Sequence, residues 1–166
     1  MSKQIALTRG LTTIVDDADF AWIAGIGIWF ASSGRGKPYA QRTGTKNLEG
    51  RRPSILMHRL IVPGAEQVDH VNGDTLDNRR SNLRPATVAD NARNRPVRSD
   101  STIGFKGVGR HSSPSNPWRA DIYVGRSRLY LGVFPDAQSA ARAYDAAALH
   151  HFGEFARLNF PEGNLQ

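Results

Sequence analysis

QVDHVNGDTLDNRRSNLRPATVADNARNR, residues 67–95, is the stretch whose reading decides the first half of the chain. Val68 to His70 reads as a strand that ends at the Val-Asn-Gly-Asp loop, where Asn72, Gly73 and Asp74 are turn formers. Leu83 to Ala86 reads as a second strand. Thr87 then offers an N-cap oxygen, and Asp90, three residues on, makes a capping-box partner for a helix through about Asn94. The predicted order is strand, loop, strand, helix.

Upstream, ALTRGLTTIV reads as two strands about an Arg9-Gly10 turn. Asp16, Asp17 and Asp19 are placed to cap a short helix through Phe20, Trp22 and Ile23. The apolar run from Phe20 to Ala31 is too short to span a bilayer and is read as core. Extended pieces follow near Trp29 and Tyr39, separated by SSGRGKP, which lacks the spacing and ending of a phosphate-cradling loop and is read as a turn. Downstream, RPVRSDSTI has linker character. The domains expected are therefore 1–95, a linker over 96–103, and 104–161.

The last zone has the clearest alternation. A strand over about Phe105 to Arg110 is followed by one over Trp118 to Val124. There Trp118, Ala120, Ile122 and Val124 face one side and Arg119, Asp121 and Tyr123 the other. In a third strand Leu129, Leu131 and Val133 are expected to share a face, opposite Arg128, Tyr130 and Phe134. Asp136 caps a helix with Ala137, Ala140, Ala141, Tyr144 and Ala147 at helical spacing, which Gly153 can end. The fold class expected is α+β: a mixed α/β N-terminal region, then a three-stranded antiparallel sheet packed on one helix. An alanine stripe lets that helix lie close, leaving the polar-aromatic sheet face open.

The chain has 22 Lys+Arg against 15 Asp+Glu, a net charge of +7. That surplus favours a polyanion, since each neutralised phosphate releases counterions. It is concentrated: Arg79, Arg80, Arg84, Arg93, Arg95 and Arg98 fall in one stretch whose sole acid is Asp90. Arginine keeps its charge and offers two donors to a phosphate, so Arg79, Arg80 and Arg84 are candidate phosphate clamps. With no cysteine there are no disulfides, thiol catalysis or Cys-based zinc sites. A metal would be held by oxygen and nitrogen, which favours Mg²⁺ or Mn²⁺ over zinc.

Phosphodiester hydrolysis needs an activated water, neutralisation of developing negative charge and support for the leaving oxygen; a histidine and a divalent metal can divide that work. Asp69, His70, Asn82 and Asn91 supply such a set in residues 67–95. This segment, with the MHRL of residues 57–60 before it, resembles the HNH family of ββα-metal nucleases, in particular phage and intron homing endonucleases with VDHxNGDxLDNRxxNLR. The resemblance extends over roughly residues 1–95. It implies His70 as general base, Asp69 and Asn91 as metal ligands, and Asn82 as a brace for the loop and the histidine. Many members have histidine where this chain has Asn91. Asn72, Gly73, Asp74, Asp77 and Asn78 are read as loop formers. His58, outside the base-plus-ligand set, is read as structural.

Residues 104 to about 161 resemble the APETALA2-type DNA-binding domain, through GFKGV, WRADIYV, YLGVF and AQSAARAYDAAALHHFGEFARLNFP. The resemblance implies docking of the sheet in the DNA major groove. It places Lys106, Asp121, Tyr123, Arg128 and Tyr130 at contact positions, flanked by Arg110 and His111. Gly109 and Tyr123 stand where arginines are common, and Tyr130 replaces a tryptophan, so the docking mode carries over better than the target sequence. Trp118 is read as structural.

The function expected is a metal-dependent endonuclease acting on double-stranded DNA. One site per chain implies nicking unless two copies cooperate. The alternative is a sequence-specific DNA-binding regulator with an inactive nuclease half. The expected setting is the cytoplasm of a bacterial host, with a phage or mobile element as the source. The protein is expected to be a monomer or weak dimer with no membrane association and no obligate protein partner.

Overall fold

A computed structural model describes residues 1–32, 36–97 and 101–161. Arg98 and part of the expected linker lie outside the described residues, as does part of the SSGRGKP turn. The chain divides into two compact units, Met1–Asn91 and Ala92–Gln166.

In the first unit, β1 (Ser2–Ala6) and β2 (Thr12–Asp16) form an antiparallel hairpin with Ser2 opposite Asp16 and Ala6 opposite Thr12. The reversal uses left-handed backbone at Arg9 (φ 64°) and Gly10 (φ 68°), a conformation that glycine adopts without steric cost. Helix α1 (Asp17–Gly25) follows, but its N-cap Asp16 makes no side-chain capping bond. The expectation that the three acids cap this helix is corrected in part by their partners. Asp16 accepts from the Arg80 backbone N–H at 2.8 Å, Asp19 takes the Arg80 guanidinium, and Asp17 pairs with Lys3. Charged donors for Asp17 and Asp19, and a backbone amide from a distant part of the chain for Asp16, take the place of the local amides.

A small antiparallel sheet in the order β3 (Phe30–Ala31), β4 (Ala40–Thr43), β5 (Ser54–Leu56) leads into α2 (Met57–Ile61). Val15, Ile23, Trp29, Met57, Ile61, Val68 and Leu83 form the core. The apolar run 20–31 is only partly core. Ile23 and Trp29 are buried, whereas Ile28 is 86% exposed; between the end of α1 and β3 the chain passes Gly25 and left-handed Gly27 and turns Ile28 outward. The deciding stretch folds as β6 (Gln67–His70), a long loop, β7 (Leu83–Ala86) and α3 (Val88–Arg93). β6 and β7 are antiparallel, with Asp69 opposite Arg84 and His70 opposite Leu83. The capping box forms: the Asp90 amide donates to Thr87 Oγ1 at 3.2 Å, and the Thr87 amide to Asp90 Oδ2 at 3.1 Å.

The second unit is a three-stranded antiparallel sheet in the order β10 (Ser127–Phe134), β9 (Trp118–Val124), β8 (Val108–Arg110), packed on α4 (Ala137–Phe152). Asp136 caps α4 by accepting from the Ser139 amide at 2.7 Å. Ala140, Ala141, Tyr144 and Ala148 are buried, with Ala120 and Ile122 from the sheet. The C-terminal LNFP segment closes the unit. Asp145 accepts from the amides of Asn159 and Phe160, and Asn159 Oδ1 accepts from the Lys106 amide.

The expected common face of Leu129, Leu131 and Val133 is not kept. Pairing runs Leu129–Ile122 and Tyr130–Asp121, then skips to Gly132–Ala120, Val133–Arg119 and Phe134–Trp118. A bulge at Leu131–Gly132, where Gly132 takes φ 124°, inserts one residue. Because strand side chains alternate, one extra residue exchanges the faces beyond it. Val133 therefore shares the face of Arg119, and Phe134 that of Trp118.

Gly107 is the tightest point of this unit. It has φ 75°, and a Cβ there would lie 1.9 Å from the Tyr144 ring. Gly107→Ala combines left-handed strain with overpacking and is expected to cost about 3 kcal/mol or more. Thermal unfolding of the variant against wild type checks this; an unchanged melting temperature would contradict the packing described.

Candidate functional site

His70 ends β6 and is 4% exposed. The loop behind it is fastened to β2 by one parallel bridge, Ile14 to Asp77: the Ile14 amide donates to the Leu76 carbonyl at 2.9 Å and the Asn78 amide to the Ile14 carbonyl at 2.8 Å. Side chains repeat the fastening in a chain of single donors. Thr13 Oγ1 donates to the Leu76 carbonyl at 2.7 Å, and Asn78 Nδ2 donates to Thr13 Oγ1 at 2.7 Å. Asn78 Oδ1 then faces His70 Nε2 at 3.4 Å. A carbonyl can only accept, so each link sets the next. The Asn78 amide oxygen is turned to His70, the imidazole proton belongs on Nε2, and the basic lone pair on Nδ1.

Asn82 ties the loop's two ends. Its Oδ1 accepts from the Asn72 amide at 2.9 Å and its Nδ2 donates to the Asp77 carbonyl at 2.8 Å. At His70 Nε2 it is the side chain of Asn78 that lies within hydrogen-bonding distance. Thr13 and Asn78 are both fully buried. Sequence reading passed over them because Asn78 looks like any turn residue and Thr13 lies 65 positions away.

Two buried histidines, His58 and His70, form a ring cluster with the half-buried Tyr39. His58 meets His70 edge-on at 5.1 Å between centroids, and Tyr39 lies 5.4 Å from His58 and 6.0 Å from His70. Burial first, then the neighbouring His70 and Arg59 charges, push the His58 pKa down to about 3. Burial also lowers that of His70, against the opposing influence of Asn78 and nearby carboxylates.

Asp69 points into the same unit with its side chain 6% exposed, and its Oδ2 accepts from Arg84 Nε at 2.9 Å and Nη2 at 2.7 Å. Arg84 itself is 11% exposed. Asp77 takes the Arg79 guanidinium with both oxygens, at 2.8 and 2.6 Å. Asp19 holds Arg80 in the same two-pronged way, at 2.7 and 2.8 Å. The three arginines expected to clamp phosphate are thus each engaged by a carboxylate of their own unit, and Arg84 is covered as well. Asn91 stands half-buried on α3. Among the described residues no three of His, Cys, Asp or Glu gather as a metal-holding group. The donors on offer are one carboxylate and one amide oxygen. Such hard oxygens suit Mg²⁺ or Mn²⁺, which keep several water ligands, and suit zinc poorly.

On the second unit, Arg119, Asp121 and Tyr123 of β9 lie across from Gly109, Tyr130 and Arg128, and this face is turned away from Ala120 and Ile122. Tyr123 and Tyr130 are 64% and 61% exposed. Arg128 donates to Asp121 Oδ2 at 2.7 Å. Arg110 pairs with Trp118 in register and its guanidinium stacks 3.8 Å from that ring, which puts it on the Ala120 side. His111 is exposed, its Nδ1 accepting from the Ser113 amide. Lys106 is turned inward: its ammonium donates to the backbone carbonyls of Arg93 and Arg95, within the second unit, and burial lowers its pKa to about 8. The sheet thus brings together Asp121, Tyr123, Arg128 and Tyr130, and not Lys106 or Arg110.

The HNH endonuclease family profile matches residues 57–93, which cover α2, β6, the loop, β7 and α3. An uncharacterized HNH endonuclease of Acanthamoeba polyphaga mimivirus is 33% identical over 111 residues, covering 62% of this chain and 56% of its own length. An AP2/ERF and B3 domain-containing protein of Oryza sativa subsp. japonica is 37% identical over 101 residues, 61% of this chain and 25% of that protein. A dehydration-responsive element-binding protein 2A of Arabidopsis thaliana is 60% identical over 67 residues, 39% of this chain and 19% of that protein. The chain spans between 17% and 38% of the lengths of the plant relatives it matches. No helix among the described residues is long and apolar enough to cross a membrane. The chain thus carries an HNH-like segment and an AP2/ERF-like DNA-binding homology region.

Two outcomes follow from this geometry. His58 and His70 are neutral when folded and take up protons when unfolded below about pH 6.5. The unfolded chain binds more protons there, so stability is full above that pH and falls as pH drops from about 6.5 toward 3. His58 accounts for a slope of up to about 1.4 kcal/mol per pH unit. Trp118→Phe leaves tryptophans only in the first unit; in that background His58→Phe should flatten the dependence, and an unchanged slope would refute the assignment. Separately, Arg84→Ala should lower stability by about 3 kcal/mol in denaturant titrations, with Arg84→Lys restoring only part. A neutral effect would mean that the pair to Asp69 is dispensable.

Proposed function

We propose that this protein is a metal-dependent endonuclease that cuts double-stranded DNA at a site chosen by its C-terminal sheet. The observation that carries the reading is the donor chain from Leu76 through Thr13 and Asn78 to His70, which holds a neutral imidazole with its basic nitrogen at Nδ1. Any buried imidazole needs an acceptor for its N–H; with Asn78 as that acceptor, Nδ1 is the basic nitrogen that a general base requires.

His70 then takes a proton at Nδ1 from the attacking water, and Asn78 Oδ1 steadies the Nε2–H as the ring gains charge. Burial keeps the ring neutral, and so able to accept, at physiological pH. Asp69 and Asn91 would hold Mg²⁺ or Mn²⁺, which when bound neutralises charge developing on the phosphate and leaving oxygen. Arg84 fixes the Asp69 carboxylate in one rotamer and Asn82 keeps the loop closed. A single such site per chain cuts one strand. The AP2/ERF-like region supplies DNA as the substrate, through Tyr123, Arg128 and Tyr130 on its open face.

The second reading, a DNA-binding regulator with an inactive nuclease half, draws on the two hydrogen bonds that Arg84 already makes to Asp69 and on the burial of His70. Supercoiled plasmid separates the two. Purified wild type should convert it to open circle with Mg²⁺ or Mn²⁺ and not with chelator. His70→Ala should lower the rate about 10²-fold or more. Thr13→Val, nearly isosteric, should fold and cut about tenfold more slowly, because Asn78 loses the acceptor that orients it. An intact plasmid with either metal would end the nuclease reading; Thr13→Val cutting at the wild-type rate would end the assignment of the Thr13–Asn78 chain as what orients His70.

A further inference from the structure

The open face of the second unit's sheet carries a cation outside the contact positions implied by the family resemblance. Arg119 of β9 stands opposite Gly109 of β8 on one side and Val133 of β10 on the other. A Cβ on Gly109 would come within 2.9 Å of Arg119 Nε, so the arginine stem lies across bare backbone that any larger residue would claim. On its other flank Nε is 3.3 Å from Asp121 Oδ2. The contact is an ion pair and not a hydrogen bond: the buried Nε of Arg119 and the buried Oδ1 of Asp121 both lack hydrogen-bond partners. Asp121 Oδ2 is taken by Arg128 at 2.7 Å. The side chains of Arg119 and Arg128 are 41% and 43% exposed, and that of Asp121 only 12%. Two guanidinium ions therefore flank one carboxylate, and the carboxylate is the member drawn back from the surface.

We propose that Arg119 is a base-reading residue that presents its guanidinium to a guanine in the DNA major groove. Gly109, at a position where the related domains commonly have arginine, leaves the space that Arg119 enters from the neighbouring strand. The positive charge is kept on this patch of the sheet but comes from a different backbone position. Asp121 acts through the two arginines as a positioning residue: it sets their separation and offsets part of their repulsion without itself reaching a base. The guanidinium fork matches guanine O6 and N7 with two parallel donors, the commonest specific contact in that groove, and nothing in the sheet holds Arg119 by a hydrogen bond that base contact would have to break.

This inference rests on the reading that the sheet binds DNA, and the experiment separates the two. Full-length wild type, Arg119→Ala and Arg119→Lys are each used to select sites from a random duplex library with chelator present, and affinities are then measured on the wild-type site. Wild type should select a defined sequence. Arg119→Ala should lose the preference at one guanine and bind the wild-type site about tenfold or more weakly, while matching wild type on a site with that base pair replaced. Arg119→Lys, which keeps the charge but not the fork, should bind random duplex as wild type does and still lose the guanine preference. If both variants selected the wild-type sequence unchanged, the role of Arg119 would be overturned with the DNA reading intact. If wild type itself selected nothing, the DNA reading would fall, and this inference with it.

Discussion

The Thr13 hydroxyl is the contact on which the first unit's site depends. It is fully buried, accepts from Asn78 and donates to Leu76, and both partners lie in the loop between β6 and β7. A buried hydroxyl or amide left without a partner costs about 1–3 kcal/mol, so the loop settles where both are satisfied. That place is beside β2, where the backbone amides of Ile14 and Asn78 complete the same alignment. Once the loop lies there, Asn82 can bridge Asn72 and Asp77, and His70 meets an acceptor whose orientation is already decided. The surroundings of the imidazole are thus a consequence of a single bridge from the loop to β2.

Charge pairing limits what the basic surplus can do. A net charge of +7 suggests an open cationic surface, but Arg79, Arg80 and Arg84 each meet a carboxylate within hydrogen-bonding distance. These pairs differ in exposure and so in consequence. Arg80 and Arg79 keep 57% and 41% of their side chains open, and can still meet a phosphate over a carboxylate that has lowered their net field. Arg84 is enclosed, and its work is inward, on Asp69. Lys106 is likewise spent on backbone carbonyls. On the second unit's sheet Arg119 and Arg128, both against Asp121 but more exposed than it, share a face with the exposed Tyr123 and Tyr130, a mixture of fork donors and aromatic rings suited to groove edges.

Local pattern made much of this legible. The turn formers after His70, the Thr87–Asp90 box, the Asp136 cap and the strict alternation from Trp118 to Val124 each act over a few residues, and the elements they mark are where the sequence reading put them. Three features were out of reach for one reason, that their partners are distant in sequence. Thr13 and Asn78 are 65 positions apart. The acids after β2 look like helix caps until Arg80 is brought to them. The bulge in β10 reads as unbroken alternation, because the glycine that permits it sits inside the LGVF run without a flanking turn signal. The same limit applies to the candidate site: residue types at the right spacing single out His70 and Asp69 as candidates, while the groups packed against them, Asn78 and Arg84, had no spacing to betray them.

Two carboxylate–arginine clusters, at Asp69 and at Asp121, show how one interaction serves opposite ends. Asp69 and Arg84 sit opposite each other across β6 and β7, both nearly covered, and their bond fixes a rotamer without adding field at the surface. Asp121 is nearly as covered, but its two arginines are not. With the negative member recessed and the positive ones forward, the cluster presents more positive charge outward than its formal sum of +1 implies. A recessed carboxylate between paired arginines thus holds both side chains in place at little cost in long-range attraction for phosphate, whereas an exposed one would compete directly with it. On that argument burial depth, more than residue identity, decides whether an acid on a DNA-facing sheet reads a base or aims the arginine that does.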